Sequence, residues 1–221
     1  MWLAERIEEE VLSGDHLVDA QLPTELELAD RYQVSRQVVR EAARLLEDRG
    51  LVNIRPRRGM TVAAPSSASV VARYQSVLRR GRATFAQLME LRRIVEPDMT
   101  ALAAASRSDA DVDAMQLALE RSRANVHDYR ACLEADLSFH LAVSNATQNP
   151  FIAAFVEPIN TVLREMYTEP IGYLATQEST IREHTAIAAA IAAGDAAAAR
   201  AGALVHLDRI YAEAGKLVAP N

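Results

Sequence analysis

The chain changes character near residues 64–69, and this change limits the folds that it can adopt. Before it, short helical patterns are followed by two strand-like segments, Leu51–Arg55 and Met60–Ala63, with a turn between them. After it, every segment has the periodicity of a helix. The small, polar residues 65–69 suit a linker. We therefore predict a mainly α protein with one domain at residues 1–64 and an all-helical domain at residues 70–221.

Seven helices are expected in the second region, and several have clear end signals. Ser108 can cap the helix that begins at Asp109, and Gly194 ends a helix just before Asp195 caps the next. Pro97 should kink or divide its helix. The predicted spans are Val70–Arg80, Thr84–Ser106, Asp109–Asn125, Tyr129–Ala146, Pro150–Tyr167, Gln177–Ala193 and Asp195–Ala214.

Composition argues against a membrane or secreted protein. The 221 residues carry a net charge of −6 and contain no run of 18 or more apolar residues. Acidic residues at positions 8–10 stand where a signal peptide would need a basic start and an apolar block. The single cysteine, Cys132, cannot form an internal disulfide. We expect a cytoplasmic protein with no membrane partner.

Charge is unevenly distributed along the first region. Residues 1–30 hold one arginine against nine acids, whereas residues 31–58 hold eight arginines against three acids. A compact basic block in an acidic protein indicates nucleic-acid binding at one face only.

A short helix, a tight turn and a second helix span the start of this basic block. The first helix opens at Thr24, which can form a capping box with Glu27. Ser35 can cap the second helix, which runs to about Arg49. The apolar residues of the second helix recur at intervals of three and four and should face inward: Val39, Ala42, Ala43 and Leu46.

Arginines occupy the other side of the second helix. Arg36, Arg40 and Arg44 are spaced at intervals of four. Such a stripe is common on solvated helices and alone would not indicate DNA binding. Here it lies between a capping box and a hairpin with Arg57 and Arg58 at its tip. This order favours a helix-turn-helix whose second helix enters the major groove, with the hairpin as a wing.

Three histidines and an aspartate form a second candidate site. Asp136 and His140 lie one turn apart on a predicted helix. If the last two helices fold back at residues 194–195, His184 and His206 both lie about 15–16 Å from the turn. Three imidazoles and a carboxylate suit zinc, nickel, manganese or iron better than calcium or magnesium. On spacing alone, ordinary core or surface histidines are an equally open interpretation.

The motifs of the first region occur in a fixed order: Leu22–Glu25, Leu28, Ala29, Val34–Arg36, Val39–Ala42, Leu46, Gly50, Leu51 and Gly59–Val62. They resemble the winged-helix signature of the GntR family of bacterial transcription regulators over residues 5–64. The resemblance implies operator contacts by Ser35, Arg36, Gln37, Arg40 and a wing tip formed by Arg57, Arg58 and Gly59. Leu26 and Val38 depart from residues that some members use on DNA, so the operator sequence cannot be copied from a relative.

The second region contains Glu90–Arg92, Glu96, Leu102–Ala104, Asp136, His140, His184 and His206. This set is similar to the all-helical effector domain of the FadR subfamily of GntR regulators, over residues 70–215. In the metal-binding branch of that subfamily, the last four positions are the protein ligands, and the cavity holds a small effector, often a carboxylic acid. The resemblance thus implies a divalent metal, zinc first, held by Asp136, His140, His184 and His206. It argues against a fatty-acyl-CoA effector.

A carboxylate effector would be bound well by a guanidinium, whose fork matches its two oxygens. Arg92 is the first candidate and Arg164 the second, and a structural or solvent-exposed role is an equally open alternative for each. Cys132 lies one turn before Asp136 and either lines the cavity or packs as a small apolar residue.

The leading hypothesis is a homodimeric, ligand-responsive transcription regulator on a near-palindromic operator, because a two-fold dimer reads a two-fold sequence. Two alternatives are weighed against it. In one, the metal is structural and there is no effector. In the other, the metal activates water in a hydrolase, although the chain has no His-Glu-x-x-His helix and no obvious general base.

Overall fold

A computed structural model describes residues 2–13, 16–55, 59–64, 68–167 and 170–217. The chain forms two compact units, Met1–Arg73 and Tyr74–Asn221. Of the predicted linker at residues 65–69, residues 65–67 lie outside the described part. Ala68 and Ser69 are already helical, since small residues are compatible with a first helical turn as well as with a linker.

The first unit is a helix-turn-helix followed by a two-stranded hairpin, as predicted. Its helices are α1 (Trp2–Leu12), α2 (Glu25–Arg31) and α3 (Arg36–Asp48), and its strands are β1 (Val52–Arg55) and β2 (Gly59–Val62). The strands pair antiparallel, with Val52 opposite Val62. One apolar core joins α1, α2, α3 and the hairpin through Leu3, Ile7, Leu28, Val39, Leu46 and Val52. This core holds the outer face of α3 in a fixed position relative to the hairpin.

Local hydrogen bonds set the ends of α2 and α3. Thr24 and Glu27 form both halves of the predicted capping box. Between the helices, Gln33 adopts a left-handed φ of 52°, which makes the turn tight. Ser35 accepts a hydrogen bond from the Val38 amide and so caps α3. The residues that follow Ser35 therefore begin a helix whose first turn is open to solvent.

The rest of the described chain is helical, in agreement with the predicted fold class. The helices are α4 (Ala68–Arg80), α5 (Phe85–Ser106), α6 (Asp109–Ala124), α7 (Tyr129–Ala146), α8 (Pro150–Met166), α9 (Pro170–Ala193) and α10 (Ala196–Leu217). None of the described helices is both long and apolar enough to cross a membrane.

Two helices bear on specific predictions: α9 begins earlier than expected, and of the two outcomes expected at Pro97, a kink or a division, α5 shows no division. The ninth helix begins at Pro170 and not at Gln177, because proline is favoured in a first turn and Gly172 is tolerated there. The fifth helix runs unbroken past Pro97, so it is not divided. Proline removes a single backbone donor, and burial of residues on both sides of Pro97, including Met89 and Ala103, keeps the helix together.

The turn between α9 and α10 aligns these two helices side by side. Gly194 has a left-handed φ of +75°, and the Asp195 carboxylate accepts a hydrogen bond from the Ala198 amide at 2.9 Å. Arg107 lies against the turn and donates to the Ala192 carbonyl at 2.9 Å. Further along, Gly202 of α10 faces Ile187 of α9. The helices therefore fold back on each other in the register that the sequence predicts.

Replacing Gly194 with alanine should lower the free energy of unfolding by about 1–2 kcal/mol, because a left-handed φ is costly for a residue with a Cβ. That Cβ would also lie 3.1 Å from the Arg107 guanidinium. Gly194→Asn should cost less, since asparagine enters this region more readily. Urea unfolding followed by circular dichroism measures both variants. An unchanged midpoint for Gly194→Ala would contradict this role of the turn.

Candidate metal centre and DNA-binding surface

Three histidines of the second unit converge in its interior. His140 comes from α7, His184 from α9 and His206 from α10, and each is at most 5% exposed. Their potential ligand atoms all lie within 4.8 Å of one another. The Nε2 atoms of His184 and His206 are 3.2 Å apart. Helices distant in sequence thus bring three imidazoles to one point.

Asp136 lies beside this cluster, one turn before His140, but its oxygens are not among the ligand atoms that all lie within 4.8 Å of one another. Its side chain is buried, and its Oδ1 atom is 3.6 Å from Nδ1 of His184. Within the described part of the chain, no hydrogen-bond donor reaches that oxygen. A buried carboxylate oxygen without a donor is costly, so the arrangement favours a cation nearby.

Two glutamates fix the tautomers of His140 and His206. Nδ1 of His206 donates to Oε2 of Glu183 at 2.7 Å, and Nδ1 of His140 is 3.1 Å from Oε2 of Glu96. Because an ionised carboxylate can only accept, both rings carry their hydrogen on Nδ1 and a lone pair on Nε2. In His140 that lone pair accepts from Nη2 of Arg92 at 3.0 Å.

Both glutamates are held in the ionised form. Burial alone would raise the pKa of Glu96, but Arg92 and His140 outweigh it and keep the pKa well below its usual range. Burial alone would likewise raise the pKa of Glu183, but hydrogen bonds from His206 and Arg209 outweigh it and lower the pKa to about 2. Both carboxylates therefore act as acceptors at neutral pH.

His184 has no neutral form that satisfies its surroundings. With its hydrogen on Nε2, the Nδ1 lone pair faces the Asp136 oxygen; with its hydrogen on Nδ1, two Nε2 lone pairs face each other at 3.2 Å. A second proton is disfavoured, because burial, and then His206 and His140, lower the pKa of His184 well below its usual value. Two nitrogens bound to one zinc ion lie about 3.3 Å apart in a tetrahedron. The residues present therefore fit a divalent cation.

A small cavity adjoins the cluster, with a volume of about 10 Å³, which is room for about one water molecule. Tyr173 contributes a buried hydroxyl to its wall, for which the described residues offer no hydrogen-bond partner. The lining residues are Arg92, Asp136, Tyr167, Tyr173, Thr176, Thr180, His206 and Ile210. The wall is thus rich in hydroxyl groups and contains one buried guanidinium.

The two arginines proposed for a carboxylate effector lie in different surroundings. Arg92 is buried beside His140, and Glu96 accepts hydrogen bonds from its Nε and Nη2 atoms. Arg164 lies on the surface of α8, with its side chain 45% exposed, and pairs with Glu134 of α7. Of the two, only Arg92 contacts the histidine cluster. Cys132 packs in an apolar cluster and does not line the cavity, and burial raises its pKa to about 11.

Two residues with evident roles at the cluster were not singled out from the sequence. Glu183 immediately precedes His184 but contacts His206, and Arg209, one turn after His206, holds Glu183 through Nε at 2.6 Å. The spacing of His206 and Arg209 at i and i+3 is the one signal that could have indicated their shared face.

The outer surface of α3 carries the residues expected to contact DNA. Ser35, Arg36, Gln37 and Arg40 are all exposed, while the inward-facing Val39, Ala42, Ala43 and Leu46 are buried. Arg40 contacts Glu25 at 3.1 Å, and Arg36 lies 3.9 Å from the same carboxylate. The hydrogen bond from Arg40 lowers the pKa of Glu25.

Only part of the predicted wing tip is described. Gly59 is exposed at the start of β2 with a φ of +76°, a conformation that favours glycine. Arg57 and Arg58 lie outside the described residues. The two departures noted in the sequence, Leu26 on α2 and Val38 on α3, are both exposed.

Comparisons with known proteins agree with this two-part organisation. Residues 3–62 match the model for bacterial regulatory proteins of the gntR family, and residues 87–209 match the FCD domain. The HTH-type transcriptional regulator LutR of Bacillus subtilis (strain 168) is 31% identical over 214 residues, covering 91% of this chain and 92% of the relative. The galactonate operon transcriptional repressor of Escherichia coli (strain K12) is 28% identical over 203 residues, covering 90% and 89%.

A solved structure has the same fold. The Streptococcus agalactiae GntR protein superimposes with a TM-score of 0.80 at 22% identity, over 96% of this chain and 98% of that one. Together, the family matches and the relatives confirm the predicted family and indicate a transcription regulator rather than an enzyme. The chain belongs to the GntR family of bacterial regulatory proteins, and it is a transcription regulator whose helical unit contains an FCD domain.

Proposed function

We propose that this regulator acts in the cytoplasm as a homodimer on a near-palindromic operator, and that a metal-bound organic acid controls it. Asp136, His140, His184 and His206 hold a divalent transition metal, zinc first, with nickel, manganese or iron as alternatives. The observation that carries the proposal is the convergence of three buried imidazoles beside a carboxylate oxygen that lacks a donor.

The DNA side of the proposal rests on the first turn of α3. Arg36, Gln37 and Arg40 are exposed there beside the capped N-terminus at Ser35, where backbone amides favour phosphate and side chains reach base edges. Arg57, Arg58 and Gly59 form the wing tip in this proposal and contact the backbone or the minor groove. Since a two-fold dimer presents two such helices, the operator has two related half-sites.

The effector part of the proposal rests on the cavity beside the histidine cluster. The bound metal supplies a positive charge at which a carboxylate can coordinate. Arg92 orients the acid through its guanidinium, and Tyr173 and Thr180 hydrogen-bond to its other polar groups. Arg164 is left out because its exposed guanidinium is paired with Glu134. One relative is named for the operon of galactonate, a carboxylic acid, which agrees with an acid effector.

A metal that is purely structural is the second candidate, and the size of the cavity favours it. A volume of about 10 Å³ holds about one water molecule and no organic acid. The two candidates differ in one measurable respect: only the effector hypothesis requires an acid to bind to the metal-loaded protein.

Arg36→Ala and Arg40→Ala should each weaken operator binding by about 5- to 150-fold, the equivalent of ~1–3 kcal/mol for a lost base contact. The operator is selected from a random duplex library with the wild-type protein, and gel shifts measure affinity. Arg6→Ala is the matched control, because Arg6 is an exposed, ion-paired arginine of α1 in the same unit. Unchanged affinity in both α3 variants would refute the DNA surface.

Protein purified without chelators should contain about one transition-metal ion per chain, and His184→Ala should lose it while still binding operator. His127→Ala is the control, since His127 is exposed in the turn between α6 and α7 and is not part of the histidine cluster. Elemental analysis of both variants and the wild type decides the matter. Wild-type protein without metal, even after incubation with zinc, would exclude the site.

Galactonate, used as a probe acid, should raise the unfolding temperature of the metal-loaded protein, with a stabilisation of about 2.7 kcal/mol at a concentration 100 times its Kd. The increase should vanish after EDTA treatment and in His184→Ala, because the metal supplies part of the acid's binding. If galactonate and a panel of other hydroxy acids leave the unfolding temperature unchanged while EDTA lowers it, the metal is structural.

A further inference from the structure

Two chains of hydrogen bonds with the same order of residue types lead to the histidine cluster. In one, Arg92 holds Glu96, which accepts from Nδ1 of His140. In the other, Arg209 holds Glu183, which accepts from Nδ1 of His206. Each chain consists of an arginine, a glutamate and a histidine, and each glutamate accepts the hydrogen on Nδ1 of its histidine, which leaves a lone pair on Nε2.

The two chains differ at Nε2 of the histidine: Arg92 donates to that of His140, whereas that of His206 lies 3.2 Å from Nε2 of His184. Oε1 of Glu183 accepts from Nε of Arg209 at 2.6 Å, and Oε2 accepts from Nη2 of Arg209 at 2.6 Å and from His206 at 2.7 Å. The Arg209 guanidinium also donates to Thr180 at 2.9 Å and to Glu213 at 3.0 Å. Both Glu183 oxygens are therefore occupied, and the carboxylate cannot turn away from His206 without breaking a fork.

We propose that Glu183 and Arg209 are positioning residues that fix His206 as the Nδ1–H tautomer and aim its Nε2 lone pair at the metal. This inference rests on the proposed metal site. A histidine can bind a metal through Nε2 only while its hydrogen is on Nδ1, and the acceptor on Nδ1 decides where that hydrogen lies. Glu183 supplies that acceptor, and Arg209 fixes its orientation.

A purely structural role for the same contacts predicts something different. The fork between Glu183 of α9 and Arg209 of α10 also ties two helices together, so its loss would lower stability in either case. Stability alone cannot separate the roles. The position of the hydrogen on His206 can, because a tie between helices has no effect on it.

The chain supplies a matched control in Glu134. Its carboxylate accepts from Nε and Nη2 of Arg164 at 2.5 and 2.8 Å, which is the same fork between neighbouring helices, α7 and α8. Within the described parts of the chain, the hydrogen bonds and ion pairs of the Glu134 carboxylate involve Arg164 and no histidine. Glu134→Ala therefore removes a fork without removing a histidine's acceptor.

Zinc affinity is measured for the full-length protein by competition with a colorimetric zinc indicator at constant pH. Glu183→Ala should bind zinc about 10- to 100-fold more weakly than the wild type, the usual effect of losing a histidine's carboxylate partner. Glu134→Ala should stay within about twofold of the wild type. Circular dichroism verifies that both variants are folded. If Glu183→Ala does not fold, the isosteric Glu183→Gln replaces it, with an expected several-fold loss of zinc affinity.

Nitrogen-15 NMR of the imidazoles, recorded on chelator-treated protein, tests the tautomer without any metal. His206 should carry its hydrogen on Nδ1 in the wild type and in Glu134→Ala, and on Nε2 in a substantial fraction of Glu183→Ala. If a folded Glu183 variant keeps the wild-type tautomer and zinc affinity, the positioning role is overturned. If the wild type binds no zinc but the tautomer shifts as expected, Glu183 still sets the tautomer of His206, while the metal proposal and the role of Glu183 toward a metal both fail.

Discussion

Burying three imidazoles in a helical core requires a partner for every ring nitrogen, and the second unit is organised around this requirement. Glu96 and Glu183 accept from the Nδ1 atoms of His140 and His206, and arginines hold both glutamates. One potential ligand atom of each ring lies within 4.8 Å of those of the other two. Without these partners, each buried ring would carry a desolvation penalty of about 1–3 kcal/mol per unsatisfied group, so the polar network and the cluster depend on each other.

The backbone supplies the register that this network needs. The left-handed turn at Gly194 places α9 and α10 side by side, so that His184 meets His206 and Glu183 meets Arg209. On α7, Asp136 and His140 leave the same face one turn apart. A shift of one residue in the register of α9 or α10 would rotate its histidine by about 100° about the helix axis and remove that histidine from the cluster.

Much of this could be predicted from periodicity and helix caps, and the reason the rest could not is physical. The helix-turn-helix and the approach of His184 to His206 follow from turn residues and counting along helices. Arg92 and Arg164, however, look alike in sequence, and burial alone distinguishes them. The partnership of Glu183 with His206 joins two helices, and a sequence carries no direct record of which side chains meet across such a packing.

The size of the cavity bears on how an acid could regulate this protein. A ligand changes an equilibrium only if it binds two conformations with different affinity. A space of about 10 Å³ cannot hold an organic acid, so an acid that binds beside Arg92 must move the side chains or helices that line the cavity. Under the proposed function, binding and conformational change are therefore a single event. The tight packing around the cluster supplies the difference in affinity, because a closed cavity excludes the effector that an opened one accepts.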